Sequence, residues 1–124
     1  MNVLTATLQR SATALAARLA NSGQTIRLSA DSTNGVVPDG ADVIIGIRPE
    51  AVRLAAEDDP YAIKANIIDV ELTGADKLVF ARIDDAQFTG RLDPHTEIVS
   101  GETRSFVFDT VGMSLFDPKS GKRL

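Results

Sequence analysis

Apolar and polar side chains alternate with a period of two along much of this chain, and that pattern predicts strands. From the first residues, Leu4, Ala6 and Leu8 alternate with Val3, Thr5 and Thr7. Thr25 to Ser29 alternates strictly, with Ile26 and Leu28 on one face, and upstream of it Leu15, Ala17 and Leu19 share a face. Asn21-Ser22-Gly23-Gln24, between these two runs, has the composition of a hairpin turn. Ser11 to Ala20 is also rich in Ala and Leu, so a short helix competes with the strand over that stretch. A helix so short is marginal, and the turn directly after it favours the strand.

Asp42 to Ile47 carries a continuous apolar run, the pattern of a strand buried on both faces, and Arg48 before Pro49 ends it. Ile63, Ala65 and Ile67 hold one phase, and Ile68, Val70 and Leu72 hold the other. A one-residue slip within a long strand predicts a β-bulge, the device that bends a strand around the corner of a small barrel. Lys77 to Ile83, Phe88 to Leu92 and Thr103 to Asp109 supply further strands, and Pro38, Pro49, Pro60, Pro94 and Pro118 all fall between runs. Short strands punctuated in this way, with no βαβ spacing, predict an all-β barrel or sandwich.

An offset of 61 residues sets Val37-Pro38-Asp39-Gly40 and the strand after it on Ile98-Val99-Ser100-Gly101 and its strand. Leu54 then falls on Leu115, and the opening strand falls near Ala62 to Ile68. Each half has the size of one five-stranded barrel of the OB type. Duplication and chance likeness between β-rich stretches both account for this much. Read as duplication, the pseudo-repeats are 1–57 and 61–124, two OB-like half-units packed together and joined at Asp58-Asp59-Pro60.

Composition narrows the chemistry. The 124 residues, 44% of them hydrophobic, can bury a core as one domain or two very small ones, without metal or disulfide staples. The absence of cysteine removes disulfides, thiolate metal sites and thiol nucleophiles. Thirteen basic against seventeen acidic residues give a net charge of −4, with no basic stripe to attract nucleic acid. No run approaches the ~20 apolar residues of a spanning helix, and Met1 to Thr5 lack a basic signal-peptide region.

Candidate chemistry is sparse. Arg48 and Glu50, in Gly46-Ile47-Arg48-Pro49-Glu50, suit either a mutual salt bridge or a polar ligand; a strand terminus with a solvated ion pair is the plainer account. In Thr73-Gly74-Ala75-Asp76, Gly74 suits a turn with positive φ, and no helix follows that would make a phosphate site. Asp117-Pro118-Lys119-Ser120-Gly121 is a type I turn followed by a left-handed glycine, and Gly121-Lys122 lacks the rest of a phosphate-binding loop. His95, the one histidine, follows Asp93-Pro94 and reads as a surface residue. Asp84-Asp85 and Glu57-Asp58-Asp59 lack the alternating ligand spacing of a calcium loop. No nucleophile has a base at hand, so an enzyme is not expected and no cofactor or metal site is predicted.

Three motifs nevertheless follow one another in a specific order: Gly46-Ile47-Arg48-Pro49-Glu50, then Val70-Glu71-Leu72-Thr73-Gly74, then Leu115-Phe116-Asp117-Pro118-Lys119-Ser120-Gly121-Lys122-Arg123-Leu124. With the opening Met1-Asn2-Val3-Leu4 they resemble the C-terminal regulatory region of ATP-binding subunits of sugar-type ABC importers, the maltose and glycerol-3-phosphate importer group. The resemblance covers essentially the whole chain; Ser120 stands where the family often has Thr.

The resemblance implies a transport-associated OB (TOBE) β-barrel region that follows a nucleotide-binding domain, pairs with its twin in a homodimer and receives regulatory signals. It implies a fragment of a longer subunit, with Met1 internal; ATP and Mg would belong to the absent ATPase domain, since this chain has no Walker A or signature motif. The implied partners are that domain, the transporter's membrane subunits and a regulatory protein, in the cytoplasm against the inner membrane. Nucleic acid and direct membrane insertion are not expected. Gly46, Arg48, Pro49, Glu50, Glu71, Gly74, Asp117, Pro118 and Gly121 are the candidate structural or interface residues. A stand-alone β-barrel sensing a small oxyanion or saccharide is the competing expectation.

Overall fold

The computed structural model describes residues 1–10, 15–29, 37–56, 58–110 and 113–124. Among them the chain forms ten strands: β1 (Asn2–Arg10), β2 (Leu15–Leu19), β3 (Thr25–Leu28), β4 (Asp42–Ile47), β5 (Val52–Leu54), β6 (Ile63–Leu72), β7 (Lys77–Ile83), β8 (Ala86–Leu92), β9 (Thr103–Phe108) and β10 (Met113–Phe116). A 3-10 turn over Pro49–Ala51 joins β4 to β5. The all-β expectation holds. Leu15–Leu19 is strand rather than helix, and residues 11–14 of the competing helix lie outside the described residues.

Two antiparallel five-stranded sheets result, in the orders β10-β4-β1-β2-β3 and β5-β9-β6-β7-β8. The two orders are the same when strand numbers are shifted by five, apart from one exchange. The fifth strand of each half crosses over: β5 pairs with β9, and β10 pairs with β4. A cut at Asp58-Asp59-Pro60 therefore separates the chain but not the sheets. β4 and β9 stand 61 residues apart, as do Val52 of β5 and Met113 of β10. The turns that lead into β4 and β9 match as well. Gly40 donates its N–H to the Leu8 carbonyl and Gly101 to the Ile67 carbonyl, each at 2.8 Å, and their φ values are +83° and +90°. That left-handed backbone is the reason glycine stands at both positions.

Alternation places the core. Leu4, Ala6 and Leu8 of β1 are buried, and so are Ile63, Ala65 and Ile67 of β6. The bulge falls between Ile67 and Asp69, so Ile68 is the extra residue and turns to solvent. The first sheet fills its interior with Leu, Ile, Val, Ala and Met113. The second adds three aromatics, with Phe88 edge-on to Phe106 at 5.3 Å and to Phe108 at 5.4 Å. The second sheet curls until its edge strands meet, with Val52 of β5 lying over Gly90 of β8. β4 is an inner strand of its sheet, and its outward Gly46 is covered by the side chains of Met1 and Phe116.

Candidate functional site

β4 ends where alternation meets proline. Arg48 is extended (φ −74°, ψ 144°), Pro49 opens the 3-10 turn, and the Ala51 N–H donates to the Arg48 carbonyl at 2.9 Å. Buried Ala51 pins this turn to the core, which leaves Arg48 and Glu50 facing solvent. Arg48 and Glu50 do not pair with one another. The Glu50 carboxylate lies 3.7 Å from the Arg91 guanidinium, and the Arg91 Nε lies 3.6 Å from an Asp76 carboxylate oxygen.

Asp76 closes the β6–β7 hairpin. The Thr73 N–H donates to the Asp76 carbonyl at 3.0 Å, the Thr73 hydroxyl donates to the same carbonyl at 3.1 Å, and Gly74 takes φ +89°. Arg91 thus joins two turns that carry sequence motifs: the one holding Arg48, Pro49 and Glu50, and the one holding Gly74. Arg91 was not among the candidates read from the sequence. Its only local signal is an outward position on β8 between buried Gly90 and Leu92, which any solvated strand residue shares.

The other candidates fall elsewhere. Glu71 is exposed on β6 and, among the described residues, takes no ion-pair partner. Asp117, Pro118 and Gly121 form the turn after β10, at the Ile44 end of β4 and away from Arg48. Asp117 accepts hydrogen bonds from the Ser120 hydroxyl (2.8 Å) and from the Lys119 and Ser120 N–H groups (3.3 Å each). These bonds, the Ser120 hydroxyl foremost, hold its carboxyl below the usual aspartate range. Gly121, at φ +73°, donates its N–H to the Asp117 carbonyl. These bonds close the turn on itself.

A groove of about 750 Å³ lies under the 93–102 loop, lined among others by Lys77, His95, Ile98, Val99, Glu102 and Arg104. Its cations are already engaged: Lys77 donates to the Thr96 carbonyl at 2.7 Å, and Arg104 to the Glu97 carbonyl at 2.8 Å and to Glu102 at 3.1 Å. Among the described residues no group of three or more His, Asp or Glu is placed to hold a metal ion, and no helix is long and apolar enough to cross a membrane. The Glu50–Arg91–Asp76 rim is about half exposed, so its loose ion pairs are worth at most about 1 kcal/mol each. Chemically it is an exposed mixed-charge surface.

Comparison with known proteins places these features in context. Residues 1–52 match the family model described as the MalK OB fold domain, and residues 45–116 match that of the TOBE domain. The oligosaccharides import ATP-binding protein MsmX of Bacillus subtilis is 32% identical over 89 residues, covering 68% of this chain and 24% of that protein. The sn-glycerol-3-phosphate import ATP-binding protein UgpC of Cupriavidus pinatubonensis is 29% identical over 100 residues, covering 77% and 27%. The trehalose import ATP-binding protein SugC of Mycobacterium tuberculosis is 27% identical over 128 residues, covering 77% and 32%. The chain spans about a quarter to a third of the length of these relatives. Among solved structures, the cytoplasmic molybdate-binding protein ModG, with molybdate bound, superposes with a TM-score of 0.69 at 15% identity. That match covers 94% of this chain and 96% of ModG, a likeness of fold.

Proposed function

The chain belongs to the TOBE domain family, and on that premise we propose that it is the non-catalytic regulatory and dimerising region of the ATP-binding subunit of an ABC importer for sugars or related solutes. The match of residues 45–116 to the TOBE model carries this reading, supported by relatives that are import ATP-binding proteins. Its work is mechanical. Two copies pair, hold two ATPase domains together while those open and close, and offer a surface on which a regulator biases that cycle. Such bias requires different affinity for the open and closed states. ATP and Mg act in the ATPase part, and this region needs no cofactor of its own. The subunit works in the cytoplasm against the inner membrane, with the importer's membrane subunits as partners. The Glu50–Arg91–Asp76 rim, with Arg48 beside it, is the candidate contact surface. An Arg91→Ala variant, which removes both loose ion pairs, is expected to keep its stability to within about 2 kcal/mol and to weaken pairing or regulator binding.

The likeness to a molybdate-binding protein favours a second reading, a stand-alone barrel that senses a small oxyanion or saccharide. Sedimentation across a range of concentrations, run beside thermal shifts against molybdate, sulfate, sugars and sugar phosphates, separates the two. Dimers with no saturable shift support the importer region. Saturable stabilisation by one small ligand, with no dimer at any concentration, would overturn it. The reading frame upstream of Met1 gives an independent check, because a Walker A and a signature motif are expected there.

A further inference from the structure

The turn joining β2 to β3 and the turn joining β7 to β8 occupy equivalent places in the two sheets, each linking the last two strands of the order. These equivalent tips meet. The Asn21 N–H donates to Asp84 Oδ2 at 2.9 Å and the Ser22 N–H to Asp84 Oδ1 at 2.8 Å. The Ser22 hydroxyl bonds the same carboxylate, and the Asn21 amide donates to Asp85 Oδ2 at 2.6 Å. All of these bonds run one way. The first-half tip donates and the second-half tip accepts.

Strand exchange gives this asymmetry a consequence. Without the second half, β4 lacks β10 beside it; without the first, β9 lacks β5. Each half must therefore be completed by another, and in a fold whose halves share one strand order the competing product is a half completed by its own kind from a second chain.

We propose that the complementary tips specify which half pairs with which, accepting a first half against a second and rejecting two of the same kind. Two Asp84-Asp85 tips would bring four carboxylates together without a counter-charge. Two Asn21-Ser22 tips would offer each other's main-chain N–H groups only neutral amide and hydroxyl oxygens in place of a carboxylate. Specificity then rests as much on the repulsion in the wrong pairs as on the bonds in the right one. The inference concerns assembly of the chain itself and does not depend on the importer reading.

The test is a double-mutant cycle on the full chain, followed by urea unfolding. Asn21→Asp with Ser22→Asp makes both tips acidic and is expected to shift the folding equilibrium toward the unfolded state by roughly ten- to hundredfold. Asp84→Asn with Asp85→Asn keeps oxygen acceptors and is expected to shift it by less. The two pairs combined present amide donors to the new carboxylates, and most of the loss should return. A neutral acidic first tip would overturn the proposal, because an incidental contact between solvated turns predicts that result. So would a loss that persists unchanged in the combined variant, which would place the damage within the first turn alone. If the acidic pair does not fold, Ser22→Asp with and without Asp84→Asn gives the same comparison.

Discussion

At Asn2 a single side-chain amide satisfies both main-chain groups of a residue on an open sheet edge. Its Nδ2 donates to the Thr89 carbonyl and its Oδ1 accepts the Thr89 N–H, each at 2.8 Å, across 87 residues of sequence. Gln24 likewise serves Lys64, in the part of the inner strand β6 that extends beyond its pairing with β7, accepting its N–H at 2.6 Å and donating to its carbonyl at 3.1 Å. Asn2 is the one buried polar residue among those described. Asn2→Ala unpairs two strand groups of β8 and is expected to cost about 1–3 kcal/mol by urea unfolding. Asp84 makes a different prediction. Partial burial acts to raise its pKa. Hydrogen bonds from the Ser22 hydroxyl and from the Asn21 and Ser22 N–H groups outweigh that and hold it below the ordinary 3.8. A carboxyl lowered in the folded state stabilises the fold above its unfolded pKa, and that contribution is lost as pH falls through the folded value. Stability should therefore decline below about pH 4, and less steeply in Asp84→Asn; acid titration of unfolding checks this. None of these partners was legible in the sequence, because a polar residue near a turn carries no mark of which distant edge it will meet.

Eight of the ten strands were legible, and the short β5 and β10 were not. Alternation marked β1, β2, β3 and β6, and the phase slip marked the bulge between Ile67 and Asp69. These are local properties, since a pleated strand sends successive side chains to opposite faces whatever it pairs with. The salt bridge suggested by the spacing of Arg48 and Glu50 does not form, and Glu50 turns to Arg91 instead. The 3-10 turn over Pro49–Ala51 breaks the extended geometry in which residues two apart project alike. The approach of β5 to β8 was likewise invisible. A Cβ on Gly90 would lie 2.9 Å from Val52 Cγ1, so Gly90→Ala should push these strands apart and cost about 1–3 kcal/mol in chemical denaturation. A neutral result would show that the two strands have room to separate.

For the whole molecule, open sheet edges set the main hazard, and residues 123–124 cover part of one of them. Beyond β10, Arg123 bridges to Phe116, and the Leu124 N–H donates to the Leu115 carbonyl at 2.8 Å. Removing residues 119–124 uncovers that edge and should promote self-association, measured by light scattering as concentration rises; a truncated chain that stays as dispersed as the full one would refute this. The all-β class, eight of the ten strands and the bulge were set by the sequence alone, because alternation and turn chemistry act over a few neighbouring residues. Tertiary structure decided the rest: the exchange of β5 and β10 between sheets, the meeting of Asn21-Ser22 with Asp84-Asp85, and the joining of Glu50 and Asp76 through Arg91. Those pairings depend on register and on how each sheet curls. Both are fixed by burial summed over the whole core, which no local pattern contains.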